Sequence, residues 1–268
     1  MKLSFTTMAT PGLGVLNSVK LAGKYGYDGI DLRVSDYMGE LTPQASGKEL
    51  LEVKNILASE GIRLSGLLCY NKSGGMGDAA RQEMKEDIQR HLEIASILES
   101  PSIRIFAGNP EESENIDDSI KKTADTILEA LRQDKTEVKI LLQNHSHSFT
   151  LKQAVNLAEM VDSPLFGIVF SPDHCVLQKE DPRGFYGLVK KHSKQLYIAD
   201  LNLEGSEYKS VLPGKGVVQL KDAYEIIGGA DFDGWVTFKW EKIWHKELEE
   251  PDIALPFFRE YIKVFEIG

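Results

Sequence analysis

Gly234-Trp235-Val236-Thr237-Phe238-Lys239-Trp240-Glu241-Lys242 is the stretch on which the fold turns. Valine, threonine and aromatics at close spacing predict a strand, started by the Asp233-Gly234 turn. Side chains alternate along a strand, so Val236, Phe238 and Trp240 share an apolar face suited to packing under helices. Thr237, Lys239 and Glu241 share the other. That second face carries an amine and a carboxylate near the strand's C-terminal end, a position with meaning only in a parallel barrel.

Seven further β-branched or aliphatic runs precede it, at 2–7, 28–33, 62–69, 102–107, 138–144, 166–171 and 195–201, the eighth strand being 235–240. Helical patterns alternate with them. Met84, Ile88, Leu92 and Ala95 fall on one helix face, as do Ile120, Ala124, Ile127, Leu128 and Leu131. Thr150 reads as the N-cap of a helix that buries Leu151, Ala154, Val155 and Ala158. Asp252 reads as the start of the last helix, with Ile253, Phe257, Tyr261 and Phe265 along one stripe. Eight strand-helix units without a break in composition fit a (β/α)8 barrel in one domain over residues 1–268. The competing doubly wound sheet lacks its Gly-rich fingerprint after the first strand, where Met8 to Gly14 is only a loop with two glycines.

Among 268 residues 42% are hydrophobic, enough for a full core. A net charge of −10 argues against nucleic acid, whose phosphates need a basic face. The N-terminus lacks a basic segment followed by an apolar one, and no run reaches the roughly 18 apolar residues that span a bilayer. No membrane contact and a cytoplasmic location are therefore expected. Cys69 and Cys175 read as buried free thiols.

In a barrel, function sits where the strands end. The polar residues there are Arg33, Tyr70, Asn71, Arg104, Gln143, His145, His147, Ser171, Asp173, His174, Tyr197, Asp200, Lys239 and Glu241. The segment 71–77 (NKSGGMG) has no phosphate-loop spacing and reads as a mobile loop at the mouth. Glu111 to Asp118 reads as an acidic helix entry, favoured by the macrodipole.

Several short pieces, in order, resemble the sugar phosphate isomerase/epimerase family of xylose isomerase-like TIM barrels. They are Gly26-Tyr27-Asp28-Gly29-Ile30-Asp31-Leu32, Leu142-Gln143-Asn144-His145, Phe170-Ser171-Pro172-Asp173-His174, Leu196-Tyr197-Ile198-Ala199-Asp200, Leu212-Pro213-Gly214-Lys215-Gly216-Val217 and Phe238-Lys239-Trp240-Glu241. The resemblance covers nearly the whole chain. It implies a small sugar or sugar-acid substrate, a homodimer, and a divalent metal held by two glutamates, an aspartate and a histidine. Those positions correspond here to Gln143, Ser171, Tyr197 and Lys239, none of them the expected ligand.

An ammonium about 4 Å from a divalent ion, at an effective dielectric near 20, is repelled by about 8 kcal/mol. Neutral amide and hydroxyl ligands do not offset that, so no metal is expected at this position and Lys239 stands in for its charge. A displaced site built from His145, Asp173 and Glu241 stays open as an alternative. The catalytic candidates are then Lys239 and Gln143 as stabilisers of an enediolate-like charge, with Glu241 or Asp173 as base. Substrate contacts are expected from His145, His174, Arg104, Ser171, Tyr197 and Trp244. Against these stand plainer roles: Lys239 as a structural ion pair with Glu241 or Asp173, the histidines as hydrogen-bonded wall residues, Arg33 and Arg104 as partners of Asp31 or other acids, and Trp244 as packing. A non-catalytic binding barrel is the rival to the enzyme.

Overall fold

Lys2–Thr6 (β1) pairs in parallel with Trp235–Phe238 (β10) on one side and with Gly29–Val34 (β2) on the other, so the sheet closes on itself. That closure rules out the doubly wound alternative. The structure, a computed structural model, describes residues 1–70, 77–107, 115–205 and 207–265. The ring continues through β3 (Arg63–Cys69), β4 (Ser102–Ile105), β5 (Lys139–Gln143), β6 (Phe166–Phe170) and β7 (Ser193–Ile198), every neighbouring pair parallel. All eight expected strands are present. Residues 71–76 and residues 111–114, the first half of the Glu111 to Asp118 segment, lie outside the described residues.

Helices α1 (Gly14–Tyr25), α2 (Gly47–Glu60), α3 (Asp78–Ile97), α4 (Ile116–Gln133) and α5 (Leu151–Val161) follow the first five strands. After β6 come α6 (Pro172–Gln178) and α7 (Tyr186–His192), and α8 (Leu220–Ile226) and α9 (Pro251–Tyr261) complete the ring. Thr150 caps α5 in a reciprocal capping box with Gln153, as the sequence predicts. The buried faces of α3 and α4 include Met84, Ile88, Leu92 and Ala95, and Ile120, Ala124 and Ile127. Both cysteines are buried and free. Among the described residues no helix is long and apolar enough to cross a membrane.

The apolar face of the quoted stretch packs outward, as alternation requires. Phe238 stacks on Trp240 at 5.5 Å and on Phe258 of α9 at 4.7 Å, and Phe258 in turn stacks on Tyr27. This column sets the rotation of α9, whose buried residues are Ala254, Leu255 and Phe258, followed by Ile262 and Phe265. The expected stripe is thus shifted by one position, leaving Ile253 56% exposed.

The unexpected element follows β7: an antiparallel hairpin, β8 (Asp200–Glu204) with β9 (Glu207–Val211). Its root is held by Asp200. One carboxylate oxygen accepts from the N–H groups of Leu201 and Val218, the other from Gly214 and Gly216, at 2.8–3.1 Å. Any side chain at Gly216 would run into Asp200 and the Leu201 carbonyl, so the glycine loop is there for close approach. Asp200, expected at the mouth, is therefore an anchor for two segments of backbone.

Two stability tests follow from this packing. Asp200→Ala removes a carboxylate acceptor shared by four N–H groups and should cost about 3 kcal/mol or more in urea unfolding; a loss under about 1 kcal/mol would contradict the anchoring role. The second concerns His91 on α3, buried with both ring nitrogens unpartnered, its pKa pushed down to about 4 by burial against the pull of Asp87. The unfolded ring titrates near 6.5, so the unfolded chain protonates first as pH falls, and stability drains away between about pH 6.5 and 4 by roughly 3 kcal/mol. His91→Leu should flatten that part of the pH–stability curve; an unchanged slope would assign it elsewhere.

Candidate functional site

The outward positions of the strands are mainly apolar, and the inward ones carry most of the strands' buried polar residues. The lower interior is organised around Asp31 on β2. Its Oδ2 accepts from Gln195 Nε2 at 2.9 Å and from the Tyr197 hydroxyl at 2.7 Å, and Gln195 also donates to Thr237, which pairs with Ser4. Burial pushes the Asp31 carboxyl up to about 6, opposed by Tyr197, Arg104 and Gln195. Tyr197 is fully buried, with its pKa raised by burial and by Asp31.

Two residues further along the strands, the second layer opens to the mouth. Lys239, its side chain 2% exposed, continues from β10 with its N–H still donating to Ile198 of β7. Its ammonium donates to Asp173 Oδ2 at 2.7 Å, lies 3.1 Å from His174 Nε2, and is 3.9 Å from Glu241 Oε2. Burial alone pulls the lysine pKa down, but the carboxylates of Asp173 and Glu241 outweigh it, so the group stays charged. Asp173 and His174 are delivered by the first turn of α6, which starts at Pro172 directly after β6.

That turn is fixed from β5. Asn144 exchanges two hydrogen bonds with the Ser171 backbone, at 2.8 and 2.9 Å, and Gln143 Nε2 donates to Ser171 Oγ at 3.0 Å. His174 Nδ1 faces the N–H of Ser146 at 3.2 Å. A neutral imidazole has one acceptor nitrogen, so Ser146 and Lys239 compete for it. His145 packs its ring 3.9 Å from that of His174. Burial, then His174 and Lys239, push the His145 pKa down to about 2, and burial and Lys239 depress His174 as well. Two neutral imidazoles therefore flank one ammonium.

The opposite side of the mouth carries two arginines. Arg104 on β4 lies over the rings of Phe106 and Tyr70, at 4.1 and 4.9 Å, and Phe106 meets His145 edge-on. Arg33 on β2 lies under Trp244 at 5.9 Å, with its Nε 3.8 Å from Glu40 Oε2. Glu40 instead accepts from Thr7 Oγ1 and from the backbone N–H of Arg33. Arg33 thus pairs with Glu40, one of the other acids that the plainer reading allows, and Arg104 acts on the Asp31 carboxyl through its charge. Arg33 Nε and both terminal nitrogens, and Arg104 Nε and one terminal nitrogen, are buried without hydrogen-bond partners. Each unpaired donor costs on the order of 1–3 kcal/mol.

Of the residues singled out from sequence, Lys239, Asp173, Glu241, His174 and His145 form one cluster, with Gln143 and Ser171 bonded to each other at the root of the turn that carries Asp173 and Arg104 beyond Phe106. Tyr197 is not among them, since its hydroxyl is committed to Asp31 one layer below. Trp244 is 46% exposed and stacks on Tyr37. Sequence reasoning passed over Asn144 as a latch and Tyr208 altogether. Tyr208 of the hairpin lines the cavity beside Lys239 with Asp173, His174, Ser210 and Glu241, and that cavity has room for about one water. Burial and the Glu241 carboxylate raise its phenol pKa.

The family model described as xylose isomerase-like TIM barrel matches residues 19–261. The chain belongs to that family. Among curated relatives, an inosose dehydratase from Lacticaseibacillus casei is 26% identical over 160 residues, which cover 53% of this chain and 51% of that protein. The chain thus spans about half the length of the curated relatives it matches. Among solved structures, the zinc-bound IolI protein superposes with a TM-score of 0.82 at 17% identity, over 99% of this chain and 98% of that one. The D-psicose 3-epimerase of Clostridium cellulolyticum H10, solved with D-tagatose, gives 0.79 at 12% identity, over the same shares of the two chains. At these identities the xylose isomerase-like neighbours speak to the fold. Among the described residues of this family member, no group of three or more His, Cys, Asp or Glu side chains is placed to hold a metal ion.

Removing one partner of a buried ion pair strands the other. Lys239→Met should therefore destabilise the protein by about 3–5 kcal/mol, and the double change Lys239→Met with Asp173→Leu should recover most of that loss. Chemical denaturation of the four proteins in this cycle measures it, and additive losses would mean that the two groups are not coupled.

Proposed function

We propose that this mouth catalyses proton transfer next to the carbonyl of a small keto-sugar, polyol or sugar acid, as an isomerase or epimerase, with the Lys239 ammonium in place of the divalent metal. The observation that carries the proposal is the fixed cation beside two carboxylates at the C-terminal end of the strands. The four positions where the resemblance puts metal ligands do not suit a divalent ion. Gln143 is engaged with Ser171 and Tyr197 with Asp31, and Lys239 brings a positive charge of its own. An ion held by His145, Asp173 and Glu241 would have to draw both carboxylates away from the ammonium.

In this reading the substrate carbonyl oxygen takes the lysine N–H that now faces His174, whose nitrogen is contested by Ser146. Glu241 is the better-placed base, because Asp173 is tied to Lys239 at 2.7 Å while Glu241 stands 3.9 Å away with its side chain 22% exposed. The α C–H bond breaks, its proton goes to the Glu241 carboxylate, and its electron pair moves to the carbonyl oxygen beneath the ammonium. Gln143, through its bond to Ser171 Oγ, supports the turn that carries Asp173. Delivery of the proton to the former carbonyl carbon, with the hydroxyl proton passing from the α oxygen to the enediolate oxygen, gives an isomer. Return to the opposite face of the α carbon gives an epimer. A second reading is a binding barrel without turnover, in which the Lys239–Asp173 pair closed at 2.7 Å is structural.

Deuterium incorporation from D2O into a panel of ketoses and their phosphates, with and without chelator, tests the proposal. Exchange should survive the chelator, and Lys239→Met should slow it at least 100-fold, the usual cost of one oxyanion-stabilising donor. Loss of exchange with chelator refutes the metal-free mechanism. No exchange on any sugar, together with sugar-induced thermal stabilisation, establishes the binding barrel.

A further inference from the structure

The proposed proton transfer gives Arg33 and Arg104 no role, and beyond the Arg33–Glu40 ion pair and the charge that Arg104 presents to Asp31 and Tyr197, most of their donors are buried without acceptors. They stand at one level of the barrel: Arg33 registers with Leu68 of β3, and Leu68 with Arg104. Residues in register on neighbouring parallel strands point the same way, so both guanidinium groups project inward. Their Cα atoms are two strands apart, about 10 Å. Arg33 is 1% exposed and Arg104 3%. Between them, five buried nitrogens have no acceptor. Glu40, the carboxylate beside Arg33, accepts its hydrogen bonds from Thr7 and the backbone N–H of Arg33 and meets the guanidinium only as an ion pair at 3.8 Å, without a hydrogen bond. Arg104 is bounded by the faces of Tyr70 and Phe106, which exclude water without accepting its hydrogen bonds in the plane.

We propose that the substrate carries an oxyanion, a carboxylate or a phosphate, which Arg33 and Arg104 grip from the β2–β4 side of the mouth while the reacting carbon faces Lys239 and Glu241. The inference rests on reading this mouth as the substrate site, but it concerns binding and stands or falls separately from turnover. A guanidinium is a planar fork of donors that matches both oxyanions in bidentate fashion, and two forks converging from alternate strands supply more donors than any neutral sugar hydroxyl needs. The way in is past Trp244, which covers Arg33 and is itself 46% exposed, with its ring stacked on Tyr37. The charge also has a polarity across the mouth. An acid at one end of a short chain and a carbonyl at the other would be read in a single orientation.

Calorimetric titration with D-glucose, D-glucuronate, D-glucose 6-phosphate and inorganic phosphate tests this on the full chain. Glucuronate or glucose 6-phosphate should bind at least tenfold more tightly than glucose, and whichever does so identifies the oxyanion. Arg33→Gln and Arg104→Gln should each remove at least tenfold of that preference while leaving the weak glucose affinity in place. Should either glutamine variant fail to fold, Arg33→Lys and Arg104→Lys keep the charge and lose the fork, and the preference should fall there too. Binding of inorganic phosphate alone should compete with the acidic sugar and weaken in the same variants. Equal affinity for glucose and both acidic sugars, or an acid preference untouched by the arginine changes, overturns the proposal. Acid-selective binding without deuterium exchange would leave it standing and remove the proton-transfer reading instead.

Discussion

The contact between the Lys239 ammonium and the Asp173 carboxylate is the constraint to which the rest of the mouth conforms. Taking two opposite charges out of water costs several kcal/mol per ion, and only close geometry with further hydrogen bonds returns it. The chain meets that condition from three directions. The strand alternation of 235–241 aims Lys239 inward. The turn that begins at Pro172 swings Asp173 up beside it, and the Asn144 amide locks that turn to the neighbouring strand. Neutral imidazoles at His145 and His174 then fill the surroundings without adding a competing charge.

Beneath this layer the barrel is polar as well, and the two layers divide the labour. Asp31, Gln195, Thr237, Ser4 and Tyr197 spend their donors on one another, with only the Asp31 Oδ1 acceptor left over, and link the strands they stand on. Arg33 and Arg104, by contrast, are buried and underused. A network that spends its donors internally is a structural one, whereas a network that withholds them at the end of the strands is poised for something else. The difference is visible only once hydrogen bonds are traced, because the residue types in the two layers are much the same.

The sequence was legible where a short period carried the information. Alternating aliphatic runs locate every barrel strand, and the alternation around Lys239 by itself sets the direction of that side chain. Where the determinants were tertiary, the reading slipped. The hairpin Asp200–Val211 carries the turn dipeptide Gly205-Ser206, but in a polar run without strand-like alternation, and its root is held by carboxylate bonds to backbone from distant residues, which leave no mark in composition. The last helix was placed within a residue, yet its buried face was set by the Phe238 ring on Phe258 rather than by its own periodicity. Tyr197 looked like a mouth residue from its place in a motif, and the length of its side chain instead carries its hydroxyl to Asp31 in the layer below.

The Asp200 carboxylate gives the ribbon above Lys239 the mechanics of a cantilever. Its two feet, at Leu201 and in the glycine loop, are pinned to the same pair of oxygens, so the ribbon bends from a clamped base instead of sliding across the barrel. Deflection grows with distance from such a clamp. Ser210, beside the base, would stay nearly still, while Tyr208, paired with Leu203 further out, would sweep the larger arc and uncover the ammonium from its own side.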